Sequence, residues 1–133
     1  MQENIMRTYD EIKDCKNNLF FEKFVYLNME KESVLSLIKS TILSSLPKAR
    51  VLLFGSRSRG NFDIYSDYDL LIITADLLTP KEKLKKSGEL DKAIVKAIRA
   101  PVDVLIFSEK EIFEKKDLPG HIVNTAIREG VEL

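Results

Sequence analysis

Two aspartates spaced two residues apart, Asp67 and Asp69, stand before the apolar run Leu70-Leu71-Ile72-Ile73, and a short polar turn, Gly55-Ser56-Arg57-Ser58-Arg59-Gly60, lies just upstream. On an extended strand, residues i and i+2 point to one face with Cα atoms about 6.6 Å apart, so the two carboxylates run parallel. At about 5 Å and an effective dielectric near 20, their repulsion is on the order of 3 kcal/mol. One Mg²⁺, or two about 3.5 to 4 Å apart, would relieve it and would also bridge phosphate oxygens.

The turn suits such a phosphate. A glycine after a strand lets the backbone approach a ligand with no Cβ in the way. If Ser58 to Asn61 begin a helix or a nest of turned amides, their N–H groups converge on one point. The spacing of Gly55 and Gly60 superficially matches a P-loop, but that motif needs Lys and then Ser or Thr directly after the second glycine, and Asn61 and Phe62 stand there. A third carboxylate, Asp103, interrupts Val102 and Val104 to Phe107. A lone charge buried in such a strand costs several kcal/mol unless it is paired or metal-bound. By alternation Asp103 shares a face with Leu105 and Phe107, and if its strand lies beside that of Asp69, all three carboxylates converge.

Positioning these groups requires strands and helices of a particular order. Three runs of four to six apolar residues, Val51 to Phe54, Leu70 to Ile73 and Val102 to Phe107, read as buried strands. Before the first, Val34, Leu35, Leu37, Ile38, Thr41, Ile42 and Leu46 recur at helical spacing, with Asn28 as a candidate cap and Pro47 as the stop. Between the second and third, Thr79-Pro80 is a helix start, Leu84, Leu90, Ile94, Ala97 and Ile98 supply an apolar stripe, and Gly88 is a candidate break. Ser108 caps a short helix through Lys116, Pro119-Gly120 interrupts, and a last helix holding Ile122, Val123, Ala126 and Ile127 closes at Gly130. The expected class is α+β (α/β): a mixed sheet of three to five strands packed with helices. Residues 1–33 read as an extension for packing or assembly, because Leu19 to Leu27 are too apolar for a disordered tail, and residues 34–133 read as the working domain.

Composition narrows the partners. Twenty-one basic residues cancel 21 acidic ones among 133, so no net field advertises nucleic acid or a membrane surface. Cys15 is the single cysteine, which excludes an internal disulfide and fits a reducing cytoplasm. No run of about 18 apolar residues is present, and none of the opening residues forms a signal-peptide core.

Gly55-Ser56-Arg57-Ser58-Arg59-Gly60, Ser66-Asp67-Tyr68-Asp69-Leu70 and Asp103 in its apolar strand together resemble the GSxARG … SDxDL … D signature of the polymerase-beta-type nucleotidyltransferase superfamily, above all its minimal (MNT) members. The close, Ile127-Arg128-Glu129-Gly130-Val131-Glu132-Leu133, is similar to that family's usual ending, and Ser58 stands where alanine is commoner. The resemblance covers residues 34 to 133. It implies the nucleotidyltransferase fold and transfer of a nucleoside monophosphate from a nucleoside triphosphate, AMP from ATP, to an acceptor hydroxyl with loss of pyrophosphate. Gly55 and Ser56, with Arg59 and Ser66, would then bind the nucleotide, Asp67 and Asp69 would ligate Mg²⁺, and Asp103 would complete the metal site and help deprotonate the acceptor. Such chemistry needs positioning and charge neutralisation rather than a covalent nucleophile.

The same resemblance implies an antitoxin that modifies a HEPN-type toxin, with the acceptor site supplied by that partner or by a second copy in a homo-oligomer. The rivals are a binding module that blocks its partner by contact and a small-molecule nucleotidyltransferase of the antibiotic-modifying type. Arg57 and Arg59 suit phosphate and solvent equally. His121, beside a Pro-Gly turn, reads as a surface residue and Cys15 as a packing residue. The seven Lys or Arg against three acids over residues 81–99 read as a solvated helix face. Phe62, Tyr65 and Tyr68 are interleaved with acids, so direct stacking on nucleic acid is not expected.

Overall fold

A computed structural model of the chain describes residues 19–60 and 66–133, with side chains from residue 31 onward. The readings for Cys15, Phe62 and Tyr65, and for the side chains of Leu19 to Leu27, lie outside the described residues. The chain divides into two compact units, Met1–Leu35 and Ser36–Leu133. The elements in order are α1 (Leu19–Ser45), β1 (Arg50–Phe54), α2 (Ser56–Arg59), β2 (Tyr68–Thr74), α3 (Pro80–Ile98), β3 (Val102–Ser108), α4 (Glu109–Lys115), α5 (Ile122–Glu129) and β4 (Val131–Glu132). Helix α1 runs straight through Asn28, because the apolar residues before it continue the helix rather than end it, and it stops two residues before Pro47.

The four strands form one mixed sheet in the order β3-β2-β1-β4. Strand β1 is antiparallel to both β2 and β4, whereas β2 and β3 run parallel, joined by the crossover helix α3. A parallel pair needs such a connection, and α3 packs along β3. Thr79 and Glu82 form a capping box at its start, with Pro80 in the first turn. The helix is continuous through Gly88. Leu90 and Ile94 are its buried residues, but Leu84 is 76% exposed. Six residues turn a helix by about 240°, so Leu84 cannot share the stripe of Leu90. Lys83 turns inward instead, with its ammonium 4.9 Å from the Phe107 ring centroid.

One sheet face carries Leu52 and Phe54 of β1 and Leu71 and Ile73 of β2, buried with Ile112 of α4 and with Val123 and Ala126 of α5, while Leu105 and Phe107 of β3 pack against them. The other face carries Val51, Leu53, Leu70, Ile72 and Ile106, all buried. Strand β4 was not legible as a strand, since two residues give no periodicity. It nonetheless pairs Val131 with Leu53 and Glu132 with Leu52. Gly130 before it lies so close to the Ala126 carbonyl that a Cβ would stand 2.3 Å from that oxygen.

Ser108 and Glu111 form a second capping box, at the start of α4, and Lys83 donates to the Glu111 carboxylate from α3. Partial burial acts upward on the Glu111 carboxyl, but the bonds from Lys83 and Ser108 outweigh it and hold the group below its ordinary value. A depressed carboxylate stabilises the fold fully above its unfolded value and loses that contribution as pH falls through the folded value. Glu111→Gln should therefore lower stability at pH 7 by about 1–2 kcal/mol. Urea denaturation should show the gap between parent and variant closing below the ordinary glutamate value of 4.5.

Candidate active site

The aliphatic rows of the first sheet face give way to carboxylates where β2 and β3 begin. Tyr68 donates its backbone N–H to the Pro101 carbonyl at 3.1 Å, which sets the parallel register. That register aligns Asp69 with Asp103, while the antiparallel register with β1 sets Phe54 opposite Asp69. The next residue after Phe54 is Gly55, so the turn begins beside the Asp69 carboxylate. A Cβ on Gly55 would lie 2.1 Å from Asp69 Oδ2. With φ of 75° and ψ of −159° its backbone also occupies a region that only glycine enters freely. Both facts require glycine at this position.

Helix α2 follows as a single turn. The Ser58 and Arg59 N–H groups and the Ser58 hydroxyl all donate to the Gly55 carbonyl, at 3.1, 3.3 and 2.7 Å. Ser56 is its first residue, where helical N–H groups lack partners within the helix and are open to an acceptor from outside it. Gly55, Ser56, Asp69 and Asp103 are thus brought to one end of one sheet face, and Asp67 lies one residue before β2.

Electrostatics shows the carboxylates acting on one another. Burial raises the Asp69 carboxyl above its ordinary value, the Asp103 and Asp67 charges raise it further, and Arg59 works in the opposite direction. Asp103 itself is exposed, not buried as its apolar strand suggested, because β3 is an edge strand whose Leu105 and Phe107, on the same face, are themselves only partly buried. Among the described residues, no group of three His, Cys, Asp or Glu side chains closes tightly enough to cage a metal ion as it stands. The charges of Asp103 and Asp67 bear on Asp69, with Arg59 offsetting them in part.

A raised carboxylate value has a definite sign for stability. Folding then favours the protonated form, so the contribution of Asp69 is fully present below its unfolded value and is lost as pH rises through the folded one. At pH 7 in EDTA, Asp69→Asn should melt above the parent, and the difference should vanish in acid. Equal melting temperatures at pH 7 would show that the repulsion is already relieved.

The two arginines part company. Arg59 pairs with Glu129 at the end of α5, 2.9 Å away, while remaining within electrostatic reach of Asp69. Arg57 turns inward and is only 9% exposed. Its Nε donates to the Ser66 carbonyl at 3.0 Å and its guanidinium lies 4.0 Å from the Tyr68 ring centroid. The placement of Arg57 and the part of Glu129 were not legible in the sequence; the one available signal for Glu129 was the family-like ending that contains it. His121 is the N-cap of α5, its Nδ1 accepting from the Val123 N–H at 3.1 Å, and stands apart from the carboxylates in sequence register and in its contacts. No helix among the described residues is long and apolar enough to cross a membrane.

Comparison with known proteins identifies the family of the fold. Residues 35–131 match the family described as "Nucleotidyltransferase domain". A protein of Methanocaldococcus jannaschii named "putative protein adenylyltransferase" is 34% identical over 84 residues, which span 63% of this chain and 77% of that protein. Among solved structures, one described as a toxin–antitoxin with AMP-PNP superposes with a TM-score of 0.50 at 22% identity, covering 71% of this chain and 68% of the other. A mutant of the toxin–antitoxin MntA–HpeT superposes with the same score at 19% identity, covering 76% and 69%. The mixed sheet is the nucleotidyltransferase fold, and with a family match over most of its length the chain belongs to the nucleotidyltransferase domain family.

Proposed function

We propose that this nucleotidyltransferase moves AMP from ATP to a hydroxyl group on a partner protein, and that the partner is a HEPN-type toxin. The observation that carries the chemistry is the register that aligns Asp69 with Asp103 at the strand end from which Gly55 begins the turn. The donor set fits a hard divalent ion: three carboxylates, two of them raising the third, with no softer ligand in the group. Asp67, Asp69 and Asp103 would hold Mg²⁺, which when bound neutralises phosphate charge and polarises the phosphoryl group. The relative named as a protein adenylyltransferase and the toxin–antitoxin structure with AMP-PNP support the choice of nucleotide and of a protein acceptor.

The residues of the chain divide the work. Gly55 and Ser56 present backbone N–H groups to the triphosphate, Arg59 adds a positive charge within reach of the same end, and Ser66 lies at the entrance to β2. Asp103, exposed at the start of β3, faces the acceptor and accepts its hydroxyl proton. The hydroxyl oxygen attacks the α-phosphorus, the bond from that phosphorus to the bridging oxygen breaks, and pyrophosphate leaves. Positioning and charge supply most of the acceleration in such a transfer.

The test mixes the protein with each labelled nucleoside triphosphate, Mg²⁺ and the product of its neighbouring gene. Label from ATP on the partner is expected. Label on no protein with any nucleotide, from a folded preparation that binds ATP, would overturn protein modification. Nucleotide affinity should also fall at least tenfold in EDTA, because the uncompensated carboxylates then repel the triphosphate; equal affinity in a binding titration would count against the site as drawn.

A further inference from the structure

Arg57 packs into the protein rather than lying on its surface. It sits on the turn that carries Gly55 and Ser56, yet it is buried and its guanidinium meets the segment that carries Asp67. Its Nε–H meets the Ser66 carbonyl at 3.0 Å, and its plane lies over Tyr68 at 4.0 Å. Ser66 and Tyr68 are the two neighbours of Asp67. One planar cation therefore holds the chain immediately before and immediately after that carboxylate, and ties both to the turn.

We propose that Arg57 is a positioning residue, a clamp that fixes the spacing between the Gly55-Ser56 turn and the Asp67 carboxylate. The inference rests on the reading of this end of the sheet as the nucleotide and metal site. A guanidinium suits the task because it can donate edge-on to a carbonyl while its face covers an aromatic ring. An ammonium lacks that geometry: lysine retains the charge at Arg57 but cannot make both contacts at once. The clamp acts on two groups that must engage one triphosphate and its metal together. A misplacement of about 1 Å between them is enough to cost on the order of a hundredfold in rate.

The experiment compares the full-length parent with Arg57→Lys, Arg57→Met and Tyr68→Leu. It measures Mn²⁺ affinity in the presence of ATP by electron paramagnetic resonance, transfer kinetics, and melting temperature. If Arg57 is a clamp, the Lys and Met variants weaken Mn²⁺ binding alike, by about tenfold, and lower kcat by about 10- to 100-fold with little change in KM for ATP. Tyr68→Leu retains the Ser66 bond, so it shifts both quantities in the same direction by less; it also decides the matter should the Arg57 variants fail to fold. Parental values in Arg57→Lys would show that charge alone matters, and a lowered melting temperature with parental Mn²⁺ affinity and kcat would show a purely structural role. Either result overturns the clamp. A parent that binds Mn²⁺ and ATP but transfers nothing defeats the proposed reaction, while Mn²⁺ affinity across the variants still decides the clamp. A parent that binds no Mn²⁺ overturns both.

Discussion

Asp103→Asn should abolish most transfer while sparing both nucleotide binding and the fold. The substitution is nearly isosteric and removes one charge, leaving the Gly55-Ser56 turn and the Asp67-Asp69 pair in place. Because those groups engage the triphosphate, ATP affinity should stay within a few-fold of the parent. The rate should fall by about 10² to 10⁴, the range in which a lost proton acceptor or charge-stabilising group is felt. Exposure of Asp103 matters here. An exposed carboxylate at a strand start carries little of the core, so its loss cannot be mistaken for unfolding. Melting temperature without divalent ions should hold or rise, since Asp103 is the leading charge that raises Asp69. Nucleotide affinity, label transfer and melting temperature on one preparation make the check, and transfer at the parental rate would remove Asp103 from the chemistry.

Much of this site was legible because its requirements are local. Asp69 stands on the strand its apolar neighbours announce, although Asp67 falls one residue before it rather than on a shared strand, and a glycine at a strand end can be recognised from its neighbours. The three central strands, the start of α3 at Thr79-Pro80 and the caps at Ser108 and Gly130 were legible for the same reason, each being set by a few adjacent residues. What the chain order cannot convey is pairing. That β2 and β3 are adjacent and in register at Asp69 and Asp103 depends on the crossover through α3, and on Tyr68 meeting Pro101, more than thirty residues later. The burial of Arg57 was hidden because a charged residue in a polar turn looks solvent-facing until its carbonyl and ring partners are known. Asp103 misled in the other direction: it lies on an edge strand, where Leu105 and Phe107 of the same face are only partly buried against the core formed with α4 and α5. Leu84 failed as a core residue because helical phase, counted over six residues, puts it on the wrong side of Leu90.

Gly55→Ala should be nearly as damaging to transfer as losing a carboxylate, though it adds only one methyl group. The Cβ would stand 2.1 Å from Asp69 Oδ2 and 3.0 Å from the carboxyl carbon, distances at which either the turn or the aspartate must move. The backbone offers no relief, because φ of 75° with ψ of −159° lies in a region that costs a non-glycine residue about 1–3 kcal/mol. Either movement separates the phosphate-binding N–H groups from the metal-binding carboxylate, so ATP affinity and kcat should both fall, the rate by about a hundredfold or more. The cause can be isolated with Asp69→Ala, which removes the atoms the new methyl would strike. In that background Gly55→Ala should cost only its backbone share, leaving a coupling between the two substitutions within the 0.5–3 kcal/mol seen for residues in contact. Urea denaturation of the parent, the two single variants and the double variant gives that coupling directly. Simple additivity of the two substitutions would mean that the turn and Asp69 do not press on each other, and the close approach that organises this site would have to be abandoned.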